Sequence, residues 1–244
     1  NNSSRFGRFI KLFLEVTQDG TDDCPAGLTP AVVGGSVSPY LLEKSRITAG
    51  PVNERSYHIF YEFCNGVDEE KRVSEYAVPK DWKTLKYLER CKNYTVPKMD
   101  DKQEWDDLVT AWRHIGLSED QIDSIQRLIA AILLCGEIDM VQEGEDVTVK
   151  KMRDLDNVSN LVDTGCDEFL VALTKKFRVI DGKEIGSFLT PKQAKDQVDC
   201  VARAIYESVF NWLIAKINQA IAVPGVGTPD EPAWIGLLDI FGFE

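Results

Sequence analysis

Scarcity in this 244-residue chain closes off several classes of function. Histidine occurs twice, at His58 and His114, and none of the six cysteines (Cys24, Cys64, Cys91, Cys135, Cys166, Cys200) stands in a C-x-x-C spacing. A structural zinc site needs clustered thiolate or imidazole ligands, so none is expected, and the scattered cysteines read as reduced thiols rather than a disulfide framework. Long apolar runs are missing too. Nothing approaches the ~18 consecutive apolar residues of a membrane span, and the first residues lack the basic-then-apolar pattern of a signal peptide. Positive charge is in deficit, with 28 Lys and Arg against 40 Asp and Glu for a net charge of −12. Such a surface repels polyanions unless its cations cluster, so nucleic acid is not an expected partner. There is no initiator methionine, and both ends, at Asn1 in a polar string and at Glu244 after an apolar run, read as cuts.

What is present is enough apolar content, 43%, for a real core. From Arg8, RFIKLFLEV is β-prone, Gln18 to Gly35 is rich in turn residues, and SVSPYLLE follows. This predicts two strands joined by a long hairpin-like loop. After Gly50 and Pro51, the spacing of Tyr57, Ile59, Phe60 and Phe63 predicts a short helix ending near Asn65 and Gly66. Helices are expected over Trp82–Cys91, Lys102–Ile115 and Ser118–Cys135, with Ser118 as N-cap and Gly116 and Gly136 as stops. KKFRVIDGKEIGSFL, from Lys175 to Leu189, breaks the helical pattern and reads as a basic two-stranded excursion. Thr190, Pro191 and Gln193 then supply an N-cap, a first-turn proline and a capping-box partner for a helix running to about Ala222. Val198, Val201, Ile205, Val209, Leu213 and Ile217 recur on one face of it, which is expected to be buried. AWIGLLDI near the end is nearly continuous in apolar residues, the pattern of a strand covered on both faces.

Chemistry is concentrated at the two ends. A site that handles nucleotide phosphates through a divalent cation needs a hydroxyl on the metal, an acid at a strand end and an amide that senses the terminal phosphate. Ser3, Ser4 and Arg5 precede one predicted strand, while Asp239 and Gly242 follow another, so only the fold could unite them.

The string NNSSRFGRF resembles the first nucleotide-sensing switch of myosin motor heads, and DIFGFE resembles their second. Between them YLLEKSRI, NERSYHIFYEFCNG, IQRLIAAILLCGEI, DEFLVALTKK and DCVARAIYESVFNWLIAKIN resemble successive head segments in order, so the resemblance covers the whole chain. Kinesins also carry S-S-R and D-x-x-G strings. There Ser-His follows the arginine and Gly-Ser-Glu ends the second switch, whereas here Phe6 and Gly7 follow Arg5 and Phe243 follows Gly242. Ile240 and Phe241 are more similar to unconventional myosins than to muscle-type ones.

The resemblance implies an α/β, mostly helical fold of the P-loop NTPase type. Residues 1–10 would form the first switch, 8–48 sheet strands with a long loop, 52–232 the mainly helical upper subdomain, and 233–244 a strand and the second switch. It implies an actin-activated ATPase with ATP and Mg²⁺ as cofactors. Ser4 and Asp239 would hold the metal, Asp239 through water, and Ser3 would contact the γ-phosphate and the attacking water. Arg5 would pair with Glu244 to close the pocket, the Gly242 amide would reach the γ-phosphate, and Asn2 matches a further motif position. Lys175, Lys176, Arg178 and Glu184 fall in a loop that touches actin, in which either Lys183 or Glu184 is the regulatory position. The family's G-x-x-x-x-G-K-[ST] loop is absent from these residues, so by itself the chain is expected to be inactive. Light chains or calmodulin would need a neck these residues lack, and no membrane contact is expected from them. The implied location is the cytoplasmic actin cytoskeleton. Two other readings differ in class: an inactive myosin-like actin tether, which should have lost switch residues, and a free-standing helical interaction module.

Overall fold

The computed structural model describes residues 6–17, 29–180, 183–226 and 232–240. In chain order the elements are strands β1 (Phe6–Thr17) and β2 (Thr29–Leu42), helices α1 (Ser45–Ala49), α2 (His58–Gly66), α3 (Glu69–Ser74), α4 (Lys86–Glu89), α5 (Asp101–His114) and α6 (Glu119–Cys135), strands β3 (Met140–Glu143) and β4 (Asp146–Val149), helices α7 (Met152–Leu161) and α8 (Cys166–Thr174), strands β5 (Lys175–Ile180) and β6 (Lys183–Phe188), helix α9 (Pro191–Ala220) and strand β7 (Ala233–Asp239). They divide into two compact units, one from the described parts of residues 1–43 and 210–244, the other from residues 44–209.

The first unit is built on a three-stranded sheet in the order β2-β1-β7, antiparallel throughout. Phe13 is fully buried in it. The β1–β2 register slips twice, leaving Tyr40 and Val33 as extra residues that bulge from the ladder. β2 already begins at Thr29, so the turn-rich stretch expected through Gly35 ends earlier. Gly34 and Gly35 are strand residues because the chain after α9 passes directly over them: a Cβ on Gly34 would lie 2.6 Å from the Ile221 carbonyl oxygen. β7 departs from the sequence expectation more sharply. Trp234, Ile235, Leu237 and Leu238 are all exposed, because among the described residues only β1 pairs with β7 and no layer covers either face.

The second unit carries the helical core. Edge-to-face aromatic contacts run through it, with Phe63 at 5.8 Å from Trp105 and Trp105 at 5.8 Å from Trp112. α2 and α5 approach closely at Gly66, where a Cβ would fall within 2.4 Å of the Trp105 side chain. The expected N-cap at Ser118 forms, closing a capping box with Gln121, and so does the expected box at Thr190–Gln193. The helix expected over Trp82–Cys91 is instead a single 3-10 turn at Trp82–Thr84 followed by α4. Leu85, fully buried, takes an extended conformation between them, and the Lys86 amide is capped by Glu137 at 2.8 Å from beyond α6. Lys195 of α9 closes the other end of α6, donating to the carbonyls of Cys135, Gly136 and Ile138 at 3.0 to 3.1 Å. The apolar face of α9 is buried at Ala194, Val198 and Ala202, whereas Val201, Ile205, Val209, Leu213 and Ile217 are half-buried.

Candidate functional site

Pairing of β1 with β7 does what the sequence left to the fold. Arg8 near the start of β1 sits opposite Asp239 at the end of β7, although 231 positions separate them. The two strand ends that flank the polar strings therefore lie at one end of one sheet. The Arg8 Nε donates to Asp239 Oδ2 at 3.1 Å, and both side chains are about half exposed, 47% and 46%. An ion pair that wet contributes roughly 0–1 kcal/mol, so it biases the geometry more than it fixes it. Arg8 escaped the sequence reading because only register reveals it. Of the expected switch residues Asp239 alone is described; Asn2, Ser3, Ser4, Arg5, Gly242 and Glu244 lie outside the described residues.

Asp239 suits a water-mediated hold on a cation. It is a carboxylate at a strand end and half open to solvent, and among the described residues only Oδ2 is engaged. No group of three or more metal-ligating side chains converges among the described residues.

The expected basic excursion is the β5–β6 hairpin, closed at its base by the Leu189 amide on the Thr174 carbonyl at 2.8 Å. Alternation splits its cations. Lys175 lies 4.6 Å from the Phe188 ring, on the face that carries exposed Phe177 and Val179, while Lys176 and Arg178 are exposed on the other. Phe177 lies over Gly186, where a Cβ would meet its ring at 3.0 Å. Sequence reasoning found the cations and missed this aromatic face, whose signal was the alternation of Lys175, Phe177 and Val179. In register Glu184 pairs with Val179 and Lys183 with Ile180, next to the turn; their side chains lie outside what is described.

A third charged group is buried under α2 and α5. Arg55 and Asp101, 4% and 12% exposed, pair at 2.7 Å, and the guanidinium lies 3.8 Å from the Tyr61 ring. Among the described residues Arg55 Nε and Asp101 Oδ1 have no hydrogen-bond partner. Burial, with Asp101 and Glu104 adding to it, pushes the Glu62 carboxyl up to about 7. Burial and then Arg55 hold His58 below its usual value, consistent with its Nδ1 facing the Arg55 Nη1 at 3.3 Å. This cluster, built within residues 44–209, reads as a structural anchor. Among the described residues no helix is long and apolar enough to cross a membrane.

Comparison with known proteins agrees with the order of segments along the chain. The profile of the myosin head (motor domain) family matches residues 1–244. Over its whole length the chain is 34% identical to Myosin-1 of Emericella nidulans, 33% to Myosin-17 of Arabidopsis thaliana and 32% to the Myosin IE heavy chain of Dictyostelium discoideum. It spans 19%, 15% and 24% of those proteins respectively, under a quarter of each.

Proposed function

The chain belongs to the myosin head (motor domain) family, and from that premise we propose that it forms part of an ATP-hydrolysing, actin-based motor. The observation that supports the reading is the β1–β7 pairing, which sets the start of β1 beside the end of β7 at Arg8 and Asp239. In this reading the fold is of the P-loop NTPase type, residues 1–10 and 233–244 carry the two switches, residues 8–48 carry sheet strands, and residues 52–232 form the upper helical subdomain.

Bound Mg²⁺ would supply charge neutralisation at the β- and γ-phosphates of ATP. Ser4 would offer it a hydroxyl and Asp239 a carboxylate acting through water. Ser3 would orient the attacking water, with Asn2 alongside, and the Gly242 amide would donate to the γ-phosphate. Arg5 and Glu244 would pair to exclude bulk water, a task suited to the planar guanidinium fork. Arg8 donates to Asp239 Oδ2 and so biases where that carboxylate sits at the end of β7. Catalysis here is mostly positioning, and closing the second switch would link turnover to movement. The phosphate-cradling loop would come from outside these residues.

The hairpin is the proposed actin contact. Lys176 and Arg178 present positive charge on a protein of net charge −12, which suits an acidic filament surface; Lys175 and Glu184 would flank them.

The test is actin-stimulated ATP turnover by the full-length protein and its Asp239→Asn variant. Turnover in the former and a loss of about tenfold or more in the latter is expected, since Asp239 would stabilise the metal's charge. Actin binding without turnover in the unaltered protein would replace the motor with the inactive tether.

A further inference from the structure

A cleft of about 410 Å³ opens on the helical unit, between the chain after α3, the start of α4, the end of α6 and the start of α7. That volume suits a small organic molecule. Its apolar part is Leu134, 5% exposed, with Ala77 and Pro79. Ala77 takes a φ of +55°, which a residue other than glycine keeps only where its surroundings impose it. Here they do so through buried Arg72. Its carbonyl accepts from the Val78 amide at 3.1 Å, and its guanidinium donates to the Pro79 and Lys80 carbonyls. On the opposite side Lys195 fixes the end of α6 through its three carbonyl contacts. The cleft is therefore formed in advance of any ligand, which spares binding the cost of ordering it.

Charge decides what the cleft could take. Three cations and three carboxylates line it, but they are not equally free. Glu137 accepts from the Lys86 amide at 2.8 Å and Asp139 from Lys86 Nζ at 2.7 Å, so Lys86, Glu137 and Asp139 are already engaged with one another. Among the described residues the side chains of Lys151, Arg153, Asp154 and Asn157 make no hydrogen bond or ion pair. What is left over is two cations and one amide against a single carboxylate. A multiply charged phosphate would face three carboxylates, and a cation would find two of those acids taken. One negative charge on an apolar body fits both the surplus and the Leu134 floor.

We propose that this cleft binds a small organic monocarboxylate, with its carboxylate on Lys151 and Arg153 and its apolar body over Leu134, Ala77 and Pro79. The site stands whether or not the motor reading holds. The probe is hydrocinnamate, titrated into the full-length protein by saturation-transfer NMR, with hydrocinnamyl alcohol as the same body without the charge. Saturable binding of hydrocinnamate in the millimolar range is expected, as much as so few atoms can supply, and about threefold weaker binding of the alcohol. Lys151→Glu with Arg153→Glu, both at exposed positions, should weaken hydrocinnamate about tenfold, since attraction becomes repulsion, and leave the alcohol unchanged. Asn157→Phe, which fills the cleft from α7, should weaken both probes. An absence of saturable hydrocinnamate binding in the unaltered protein would overturn the site. Equal affinity for acid and alcohol, or unchanged affinity in the charge reversal, would overturn recognition of the carboxylate. Binding that survives Asn157→Phe would put the probe elsewhere and overturn the assignment to this cleft.

Discussion

At Glu62 the charges around a buried carboxyl decide how the protein responds to pH. Its folded-state pKa, raised from 4.5 to about 7 by burial, means that the folded protein holds this proton more tightly than the unfolded chain. Its contribution to stability is therefore fully present at acid pH and lost as pH rises through about 7. His58, held low, acts in the opposite sense and only as pH falls below its ordinary 6.5. Between about pH 6.5 and 8 the Glu62 effect stands alone of the two, and Glu62→Gln is expected to flatten the fall in melting temperature across that range, recovering on the order of 1–3 kcal/mol at pH 8. Thermal unfolding of both proteins across that range checks it; equal slopes would show that the carboxyl is already ionised at neutral pH. Little of this was legible in the sequence. Glu62 looks like an ordinary helix residue until α5 supplies Asp101 and Glu104 beside it, and no local pattern marks that meeting. Arg8 was hidden for the same reason, since its partner lies at the far end of the chain.

Elements were legible where their ends are decided locally. The boxes at Ser118 and Thr190 need only four consecutive residues, and both formed. The β5–β6 excursion was marked by the break in helical spacing. The β3–β4 hairpin was overlooked although Gly144, with φ of +63°, stands in its two-residue turn between alternating stretches. The split of the Trp82–Cys91 segment could not have been read, because its second helix is capped by Glu137 from elsewhere. For the β5–β6 hairpin, the separation of Lys176 and Arg178 from the aromatic face yields a prediction. Reversing charge in Lys176→Glu and Arg178→Glu together should weaken actin affinity of the full-length protein about tenfold at low salt, with much of the loss vanishing as salt screens the contact. Phe177→Ser should weaken it with little salt dependence. Co-sedimentation with filaments at two ionic strengths distinguishes them, and a salt-independent loss in the charge reversals would argue against an electrostatic contact.

On the scale of the whole molecule, the described residues leave β7 exposed on both faces and unpaired along one edge, with Trp234, Ile235, Leu237 and Leu238 open to solvent. Such a strand is a template for other strands. The 244-residue chain alone is expected to self-associate at micromolar concentration, and Ile235→Lys with Leu237→Lys is expected to reduce this; light scattering across a dilution series reports it. A monomer at all concentrations would mean that the edge is protected by residues outside those described. The sequence pointed to a strand covered on both faces, and β7 is instead exposed, because apolar continuity reports what a strand could bury and not what packs on it. Among the described residues nothing supplies the cover.

The 231 positions between Arg8 and Asp239 also set an order of events during synthesis. β1 and β2 emerge from the ribosome close together and can form their hairpin at once, and the helical unit can follow, since its contacts lie within residues 44–209. β7 arrives after nearly all of that chain has been made, so β1 must wait with one edge vacant for the partner that completes its ladder. The nascent protein is then most in need of a chaperone between the release of β1 and the arrival of β7.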